Sequence, residues 1–472
     1  MLRFLSRIFW PFGRRTAAPP ANARPDLEAL RERRRARAEA MRAQAPAEDS
    51  SAGAADTASF PSFRSSAIER GGRGDASRLS RARTTLRDVF TPAQPVTERS
   101  RFAGRLGVLA RLIEILEEQR SHVVIYGERG IGKTSLVHIL AEIARDSRYL
   151  VIYASCGAYS SFEDIFRAVL QDIPQLYLRD VDPSAISGMG NGSLADRLPD
   201  SFDARQLGEL CAQITGTRVI IILDEYDRAE SDQFRLSVAE LIKNLSDRAA
   251  RVQLVLAGVA SNLQELVGYI PSIRRNVIGL PMPRLSSEEV RALLKIGEDA
   301  AGVSFAPGAA AAIEALSNGS PYLVRLISHH ASMLALDGDR LAIDEADVWA
   351  ALDKIVDESA GRIDPRLIAA VAPYLAGADA PLVSAAARAA STPDGWFAPE
   401  DALSLITPER KDALAELLGA LAAAGVIEHS AEAGRYRFRE EPLPTYLWMR
   451  TARDAHRAER VSAPLPSRSA AL

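Results

Sequence analysis

The stretch VVIYGERGIGKTSL, residues 123–136, decides the fold of this chain. A hydrophobic run ends at Gly127, a loop containing two further glycines follows, and an apolar helical pattern begins at Lys133. The spacing G-x-x-x-x-G-K-[ST] is that of a loop whose backbone N–H groups converge on phosphate oxygens. The sequence therefore predicts a strand, a phosphate-binding loop and a helix, in that order.

Each position of this loop has a predicted role in binding a nucleotide. Lys133 reaches the outer phosphates, and Thr134 offers its hydroxyl to Mg²⁺. The start of the helix adds the positive end of its dipole. The predicted nucleotide-binding residues of the loop are Gly127, Glu128, Arg129, Gly130, Ile131, Gly132, Lys133, Thr134 and Ser135.

A second motif, IIILDE, ends at Glu225. Asp224 closes a hydrophobic run, where a carboxylate is costly to bury unless it meets a cation or hydrogen bonds. We predict that Asp224 holds the Mg²⁺ shell together with Thr134, and that Glu225 polarises the attacking water as a general base. The sequence lacks the N-K-x-D stretch of guanine recognition, which favours ATP over GTP, and it shows no acceptor-site pattern of a small-molecule kinase.

Hydrophobic runs alternate with helical patterns from about residue 102 onward. Such runs are typical of strands that helices bury on both faces. We therefore predict an α/β fold with a five-stranded parallel sheet between helices. The five hydrophobic runs lie at 123–127, 149–156, 218–227, 252–259 and 276–282.

The remainder of the chain predicts helices and one hairpin. Ser286 and Glu289 have the spacing of a capping box at the start of a helical lid. The stretch 425–438 predicts helix, strand, turn and strand, which favours a winged helix. The predicted domains are a disordered basic region 1–95, an ATPase core 96–283, a lid 284–360, a winged-helix domain 361–452 and a flexible tail 453–472.

Composition and charge place the chain among soluble globular proteins. Its 472 residues are 47% hydrophobic and 25% charged, and no apolar run approaches the roughly 18 residues that span a bilayer. Two cysteines provide no disulfide framework, so we expect a reduced, cytoplasmic setting. The first 105 residues contain 21 arginines and 11 acidic residues, although the whole chain has a net charge of -3.

The first 15 residues, MLRFLSRIFWPFGRR, leave three alternatives open. Leu2, Leu5 and Phe9 share one helical face, which fits a peripheral membrane contact at the inner face of the membrane. The same face fits a peptide that docks on a protein partner. The third alternative is a disordered tip that contains a few aromatic residues.

Together these motifs resemble the AAA+ ATPases, in particular the prokaryotic ATPases related to origin-recognition initiators, and also the STAND signalling ATPases. The resemblance covers roughly residues 100–450 and implies an AAA+ P-loop fold that binds ATP and Mg²⁺. RFAGR, residues 101–105, resembles the F-x-G-R motif that lines the adenine pocket in those families. This resemblance implies that Phe102 and Arg105 bind the nucleotide; a plain helix N-terminus is the alternative.

Three further roles follow from the resemblance. Ser261 or Asn262, after the fourth strand, would sense the γ-phosphate. Arg274 and Arg275 would act as an arginine finger on a neighbouring subunit's nucleotide, unless they are a surface pair. Arg325, one turn into the lid helix that begins with a G-x-P pattern, would sense phosphate, unless it faces solvent.

These features favour a cytoplasmic ATPase that acts as a nucleotide-dependent switch, with slow turnover that an oligomer or protein partner stimulates. One alternative is a DNA-binding initiator-like or loader ATPase, in which Arg435, Arg437 and Arg439 contact the DNA backbone. The predicted recognition helix, 411–425, offers only Lys411 for reading bases. Another alternative is a membrane-associated signalling scaffold.

Overall fold

A computed structural model describes residues 75–180, 192–268, 273–430 and 433–462, all within one compact unit of the chain, residues 66–472. The predictions for residues 1–15, for the rest of the basic region up to residue 74 and for the last ten residues lie outside the described residues. In the described part of the chain, no helix is both long and apolar enough to cross a membrane.

A parallel sheet of five strands lies at the centre of the predicted ATPase core. The strand order is β2-β3-β4-β1-β5, and every neighbouring pair is parallel. This arrangement confirms the predicted α/β fold. The strands are β1 (His122–Gly127), β2 (Leu150–Ser155), β3 (Val219–Asp224), β4 (Val252–Val259) and β5 (Val277–Pro281).

Helices cover both faces of this sheet. In β3, Ile220 and Ile222 join a core with α2 and α3, whereas Ile221 and Leu223 join the core on the other face. Because successive side chains of a strand point to opposite faces, both faces must be apolar, which explains the continuous hydrophobic runs. The helices up to β5 are α1 (Asp75–Val89), α2 (Leu106–Glu114), α3 (Lys133–Asp146), α4 (Phe162–Gln171), α5 (Ala204–Cys211), α6 (Asp232–Asp247) and α7 (Leu263–Val267).

The lid follows β5 and is helical, as predicted. The capping box at its start is present: the Ser286 hydroxyl accepts from the Glu289 N–H at 3.2 Å, and the Glu289 carboxylate accepts from the Ser286 N–H at 3.0 Å. The lid elements are α8 (Ser287–Ala301), β6 (Ser304–Phe305), α9 (Pro307–Ser317), α10 (Pro321–Asp337), β7 (Ala342–Ile343) and α11 (Glu345–Ala360).

The C-terminal domain, residues 361–462, shares one hydrophobic core with the lid. The predicted hairpin is present as β9 and β10, and β8 pairs with β10 in antiparallel fashion. The domain elements are α12 (Pro365–Val371), α13 (Ala380–Ala389), β8 (Trp396–Phe397), α14 (Pro399–Leu403), α15 (Lys411–Ala423), β9 (Ile427–Ser430), β10 (Arg435–Phe438) and α16 (Pro442–Ser462).

The structure corrects the predicted disorder of residues 75–95. Leu86 on α1 is fully buried, and the rings of Phe90 and Phe305 meet edge to face with centroids 6.0 Å apart. Arg83 adds an ion pair to Asp337 at 2.6 Å. Lid residues more than 200 positions away in the sequence bury the short apolar face of α1. Local composition therefore does not reveal that this segment is ordered.

The predicted flexible tail is also corrected in its first part, because α16 continues to residue 462. His456 stacks on Trp349 of the lid with ring centroids 3.9 Å apart. Arg457 pairs with Asp353 at 2.7 Å. Polar and aromatic contacts to α11 therefore stabilise the last turns of α16, which lack an apolar stripe.

Candidate nucleotide site

The phosphate loop runs from the end of β1 to the start of α3, as the sequence predicted. Gly130 and Gly132 have φ angles of 72° and 93°, in the left-handed region that favours glycine. A Cβ atom at Gly132 would lie 2.8 Å from an Arg105 nitrogen, and one at Gly130 would lie 3.2 Å from Tyr322 Cβ. A side chain at either position would therefore strain the backbone, and one at Gly132 would also have to displace the Arg105 guanidinium.

Lys133 is buried at the base of this loop. Its Nζ donates to the carbonyl oxygens of Gly127, at 2.9 Å, and Glu128, at 2.8 Å. Burial lowers the pKa of Lys133 to about 8, although the carboxylates of Asp227 and Asp224 act to raise it. A desolvated ammonium group beside free loop N–H groups is well suited to bind an anion.

Asp224 ends β3 with its carboxylate buried. Its Oδ2 accepts from the Tyr153 hydroxyl at 2.8 Å, and its Oδ1 accepts from the Glu225 N–H at 2.8 Å. Burial of the ring raises the pKa of Tyr153, and the Asp224 carboxylate raises it further. Tyr153 therefore stays a donor and fixes the orientation of Asp224. The motif analysis missed Tyr153, because it lies on a different strand.

Glu225 follows Asp224 with a left-handed backbone, φ 52°. Its Oε2 accepts from the Ser155 hydroxyl at 3.1 Å and from Arg228 Nη1 at 3.0 Å. The carboxylate lines the same cavity as Lys133 and Thr134. This position suits a general base that acts on a water molecule in the cavity.

Asp227 is a further site residue that the sequence analysis did not single out. Its Oδ1 accepts from the Val259 N–H at 2.8 Å and so ties the turn after β3 to the end of β4. It is the carboxylate that acts most strongly to raise the pKa of Lys133. A third acidic residue in LDEYD, residues 223–227, was the available signal.

A cavity of about 410 Å³ lies between the loop, the lid and the segment before α2. Phe102 lines it, as predicted, and so does the segment 92–96, which the sequence analysis had placed in or beside the disordered region. The Val96 N–H donates to the Ser135 hydroxyl at 3.0 Å, so Ser135 holds this segment against α3. The apolar and amide groups of the segment suit the base of a nucleotide.

Arg105 is buried and joins the loop to the lid. Its guanidinium donates to the carbonyl oxygen of Ile131 and, at 3.0 Å, to that of Pro283, and its N–H donates to the Glu289 carboxylate. Burial lowers the pKa of Arg105 to about 10, and Glu289 opposes the shift. Because its Nε has no hydrogen-bond partner, Arg105 retains capacity for a ligand atom.

Arg325, on α10, also lines the cavity. Burial lowers its pKa, and its Nε is a buried donor without a partner. An arginine held this way next to a phosphate loop fits the predicted lid sensor.

The structure does not bring the other predicted residues to this cavity. The Asn262 side chain accepts from Gln264 and Glu265 N–H groups and caps α7, while the Ser261 N–H donates to Glu265. Arg274 and Arg275 are exposed just before β5, at the opposite end of the sheet from the phosphate loop. Their role on a neighbouring subunit stays a prediction.

Arg284 links the phosphate loop to the lid and the C-terminal domain. It donates from Nε to Glu128 Oε1 at 3.1 Å and from Nη2 to Glu128 Oε2 at 2.8 Å. The same guanidinium donates to the carbonyl oxygens of Asn318, at 3.1 Å, and Ser391, at 2.9 Å. One side chain thus joins all three parts of the molecule, which no local sequence pattern indicated.

The predicted DNA-contacting arginines of the hairpin are mostly engaged within the C-terminal domain. Arg435 donates to the Trp396 carbonyl oxygen at 2.7 Å. Arg437 pairs with Glu428 at 2.7 Å and lies over the Trp396 ring. The surface that remains for DNA on this hairpin is therefore smaller than the sequence suggested.

Comparison with known proteins agrees with this geometry. Residues 101–256 match a family model described as an AAA ATPase domain. No curated protein matches the chain.

Distant solved structures also match, all at low identity. The Thermotoga maritima RuvB Holliday junction branch migration motor is 15% identical, with 81% of this chain and 100% of that chain covered and a TM-score of 0.41. Cdc6p from Pyrobaculum aerophilum is 16% identical, with 79% and 98% covered and a TM-score of 0.42. The Aeropyrum pernix ORC1 protein in complex with DNA is 17% identical, with 79% and 98% covered and a TM-score of 0.41.

Proposed function

We propose that this chain, which contains an AAA ATPase domain of the P-loop type in residues 101–256, binds and hydrolyses ATP and uses the nucleotide as a switch. The lid and the C-terminal domain are the parts that the switch moves relative to the ATPase core. The observation that carries this proposal is the bidentate Glu128–Arg284 pair, because it connects the phosphate loop directly to both parts.

The residues of the cavity divide the chemistry of ATP hydrolysis among them. Lys133 binds the outer phosphates, and Glu225 takes a proton from the attacking water. Thr134 and Asp224 supply the oxygen atoms that would hold Mg²⁺, which neutralises phosphate charge when bound. Arg325 approaches from the lid, so its guanidinium registers whether the outer phosphate is present.

The hydrogen bonds of Lys133 support the proposed switch. Lys133 Nζ is bound to the carbonyl oxygen of Glu128, whose side chain holds Arg284. When a triphosphate draws Lys133 away, Glu128 loses that restraint. Arg284 then changes its contacts to Asn318 and Ser391, and the body formed by lid and C-terminal domain moves.

We propose in addition that assembly completes the site. Arg274 and Arg275 lie at the end of the sheet away from the chain's own cavity, so an ATP molecule that either of them contacted would be bound to another subunit. Such an arginine stabilises charge in the transition state and would raise a slow basal rate.

Replacing Glu128 with glutamine tests the switch. The variant keeps the shape of the side chain but removes the charge that Arg284 binds. The nucleotide-dependent change in distance between the core and the C-terminal domain should therefore be less than half of that in the parent protein. Spin labels at Lys243→Cys on α6 and Glu416→Cys on α15, both exposed positions, report the distance between core and C-terminal domain. ATP affinity should change by less than about threefold, because Glu128 offers only backbone groups to phosphate.

The matched control is Glu441→Gln, which removes the ion pair with Arg129. Both of those side chains are about two-thirds exposed, at 65% and 66%, and exposed pairs contribute little. The nucleotide-dependent change in distance between the labels should therefore be the same as in the parent protein. Equal movement in all three proteins would overturn the role of Glu128, while the site itself would stand if ATP still bound.

Tyr153→Phe tests whether Tyr153 positions Asp224 for Mg²⁺. Loss of one hydrogen bond to a charged acceptor should raise the Mg²⁺ concentration for half-maximal ATPase activity by roughly threefold to tenfold. Tyr159→Phe is the control, since Tyr159 is 99% exposed. A Tyr153→Phe variant with unchanged Mg²⁺ dependence and a lower melting temperature would restrict Tyr153 to a structural role.

A further inference from the structure

An arginine precedes each strand of the central sheet. Because the strands are parallel, all their amino ends lie at one edge, opposite the phosphate loop. Strand β1 has six residues, so the two edges are about 20 Å apart. In sheet order from β2 to β5, the arginines are Arg148, Arg218, Arg251, Arg120 and the pair Arg274 and Arg275.

Four of these arginines line one cleft of about 620 Å³, which we call the arginine cleft: Arg120, Arg218, Arg251 and Arg275. They precede β1, β3, β4 and β5, which are adjacent in the sheet. Neighbouring strands lie about 4.8 Å apart, so the four backbone positions span roughly 14 Å. The arginine cleft thus presents a row of guanidinium groups, not a single cation.

The positive charge of the arginine cleft is not neutralised within the described part of the chain. None of its four arginines forms an ion pair with a described carboxylate. Arg251 donates to the carbonyl oxygen of Thr215 at 2.7 Å, and Arg218 lies 3.5 Å from the Tyr149 hydroxyl. Asp247 is the one carboxylate among the described lining residues. This local excess of positive charge contrasts with the net charge of -3 for the whole chain.

His122 adds a neutral donor at the base of the arginine cleft. It is 3% exposed, and its Nδ1 accepts from the Leu254 N–H at 2.9 Å. Burial lowers the pKa of His122 to about 4, so the ring is neutral at pH 7 and Nε2 carries the proton. His122 lines the arginine cleft, and that N–H donates to no described residue, so it is available to a ligand oxygen that enters the cleft.

The shape of the arginine cleft decides between polyanions. A flat lipid surface does not reach the buried His122 inside a cleft. No aromatic ring other than that imidazole lines the described cleft, so it offers no platform for stacking bases. Measured along the helix axis, a row of about 14 Å corresponds to roughly four steps of a stacked strand at about 3.4 Å each.

We propose that the arginine cleft binds the phosphate backbone of a nucleic acid without sequence preference. This site lies on the edge of the ATPase core away from the nucleotide cavity and does not involve the hairpin of the C-terminal domain. The proposal therefore goes beyond the proposed switch, and its test does not depend on ATP hydrolysis.

The test uses the full chain with Arg218→Glu and Arg251→Glu combined. Binding of a labelled 20-base-pair DNA duplex is measured by fluorescence anisotropy at several salt concentrations. The magnitude of the slope of log affinity against log salt should decrease by about 2, since each lost phosphate contact reduces that slope by about 0.9. Affinity at 100 mM salt should fall at least tenfold. Both proteins keep the arginine-rich first 74 residues, so binding by that segment cancels in the comparison.

The matched control reverses Arg362 and Arg366 to glutamate. Both are exposed at the start of the C-terminal domain, so this variant has the same net charge but an intact arginine cleft. It should bind DNA within about twofold of the parent protein. A milder pair, Arg218→Gln with Arg251→Gln, and an ATP-binding measurement confirm that any loss does not come from unfolding.

Three results would overturn the proposal. The first is an equal loss of DNA affinity in the arginine-cleft and control variants, which would indicate a general charge effect. The second is an unchanged salt slope in a folded arginine-cleft variant. The third is unchanged DNA binding together with lost binding to poly-glutamate or to anionic vesicles, which would assign the arginine cleft to an acidic protein or a membrane.

Discussion

Replacing Lys133 with alanine is expected to weaken ATP binding by roughly 100-fold, because hydrogen bonds between charged partners contribute about 1.5–3 kcal/mol each and Lys133 makes more than one. The structure supports a large effect, since the ammonium group is buried at the loop and its hydrogen bonds go to the carbonyl oxygens of Gly127 and Glu128. Isothermal titration of Mg-ATP into the purified full chain measures the loss directly.

Lys243→Ala is the control for this variant. Lys243 is exposed on α6 and forms no ion pair with a described residue, so its loss should leave ATP affinity unchanged. If the Lys133→Ala variant bound ATP as tightly as the Lys243→Ala variant, the phosphate site would be wrong. The switch and the role of the neighbour's arginines would then lose their basis.

The lowered pKa of Lys133 adds a pH dependence to the same measurement. In the free protein the pKa is about 8, and a bound triphosphate stabilises the protonated form and raises it. Above pH 8, binding must therefore take up a proton, and ATP affinity should fall as pH rises, by at most about tenfold per pH unit. Titrations at pH 9 in two buffers with different ionisation enthalpies should show this proton uptake, and the Lys133→Ala variant should lack it.

The ATPase core was predictable because its signals are local. The run RVIIILDE, residues 218–225, has apolar residues on both sides of the strand, and the structure uses Ile221 and Ile222 on opposite faces. The phosphate loop has its own glycine spacing, which backbone geometry requires. Neither inference depends on residues far away in the sequence.

The parts that sequence analysis missed depend on distant partners. Residues 75–89 look disordered by composition, yet α1 is ordered by lid side chains such as Phe305. Tyr153 and Arg284 acquire their roles from Asp224 and Glu128, which lie 71 and 156 positions away. A single sequence does not reveal such pairings, because the fold determines which residues become neighbours.

Glu225→Gln is expected to lower the rate of ATP hydrolysis by 10²–10⁴-fold while ATP affinity stays within about threefold. Glutamine keeps the size of the side chain and an oxygen that accepts from Ser155, so the turn after β3 should keep its shape. The amide cannot take a proton from water, and the substitution also removes the charge that pairs with Arg228. Phosphate release measures the rate, and titration of Mg-ATP measures the affinity.

Glu230→Gln is the charge-matched control for Glu225→Gln. Glu230 is exposed five residues further along the chain, so the variant has the same change in charge but leaves the cavity intact and should hydrolyse ATP at the parent rate. If Glu225→Gln also hydrolysed at that rate, the general base would be a different group. If it lost binding and hydrolysis together, Glu225 would act through the ion pair with Arg228 and the shape of the turn. Only a loss of hydrolysis with binding preserved assigns the proton transfer to the Glu225 carboxylate.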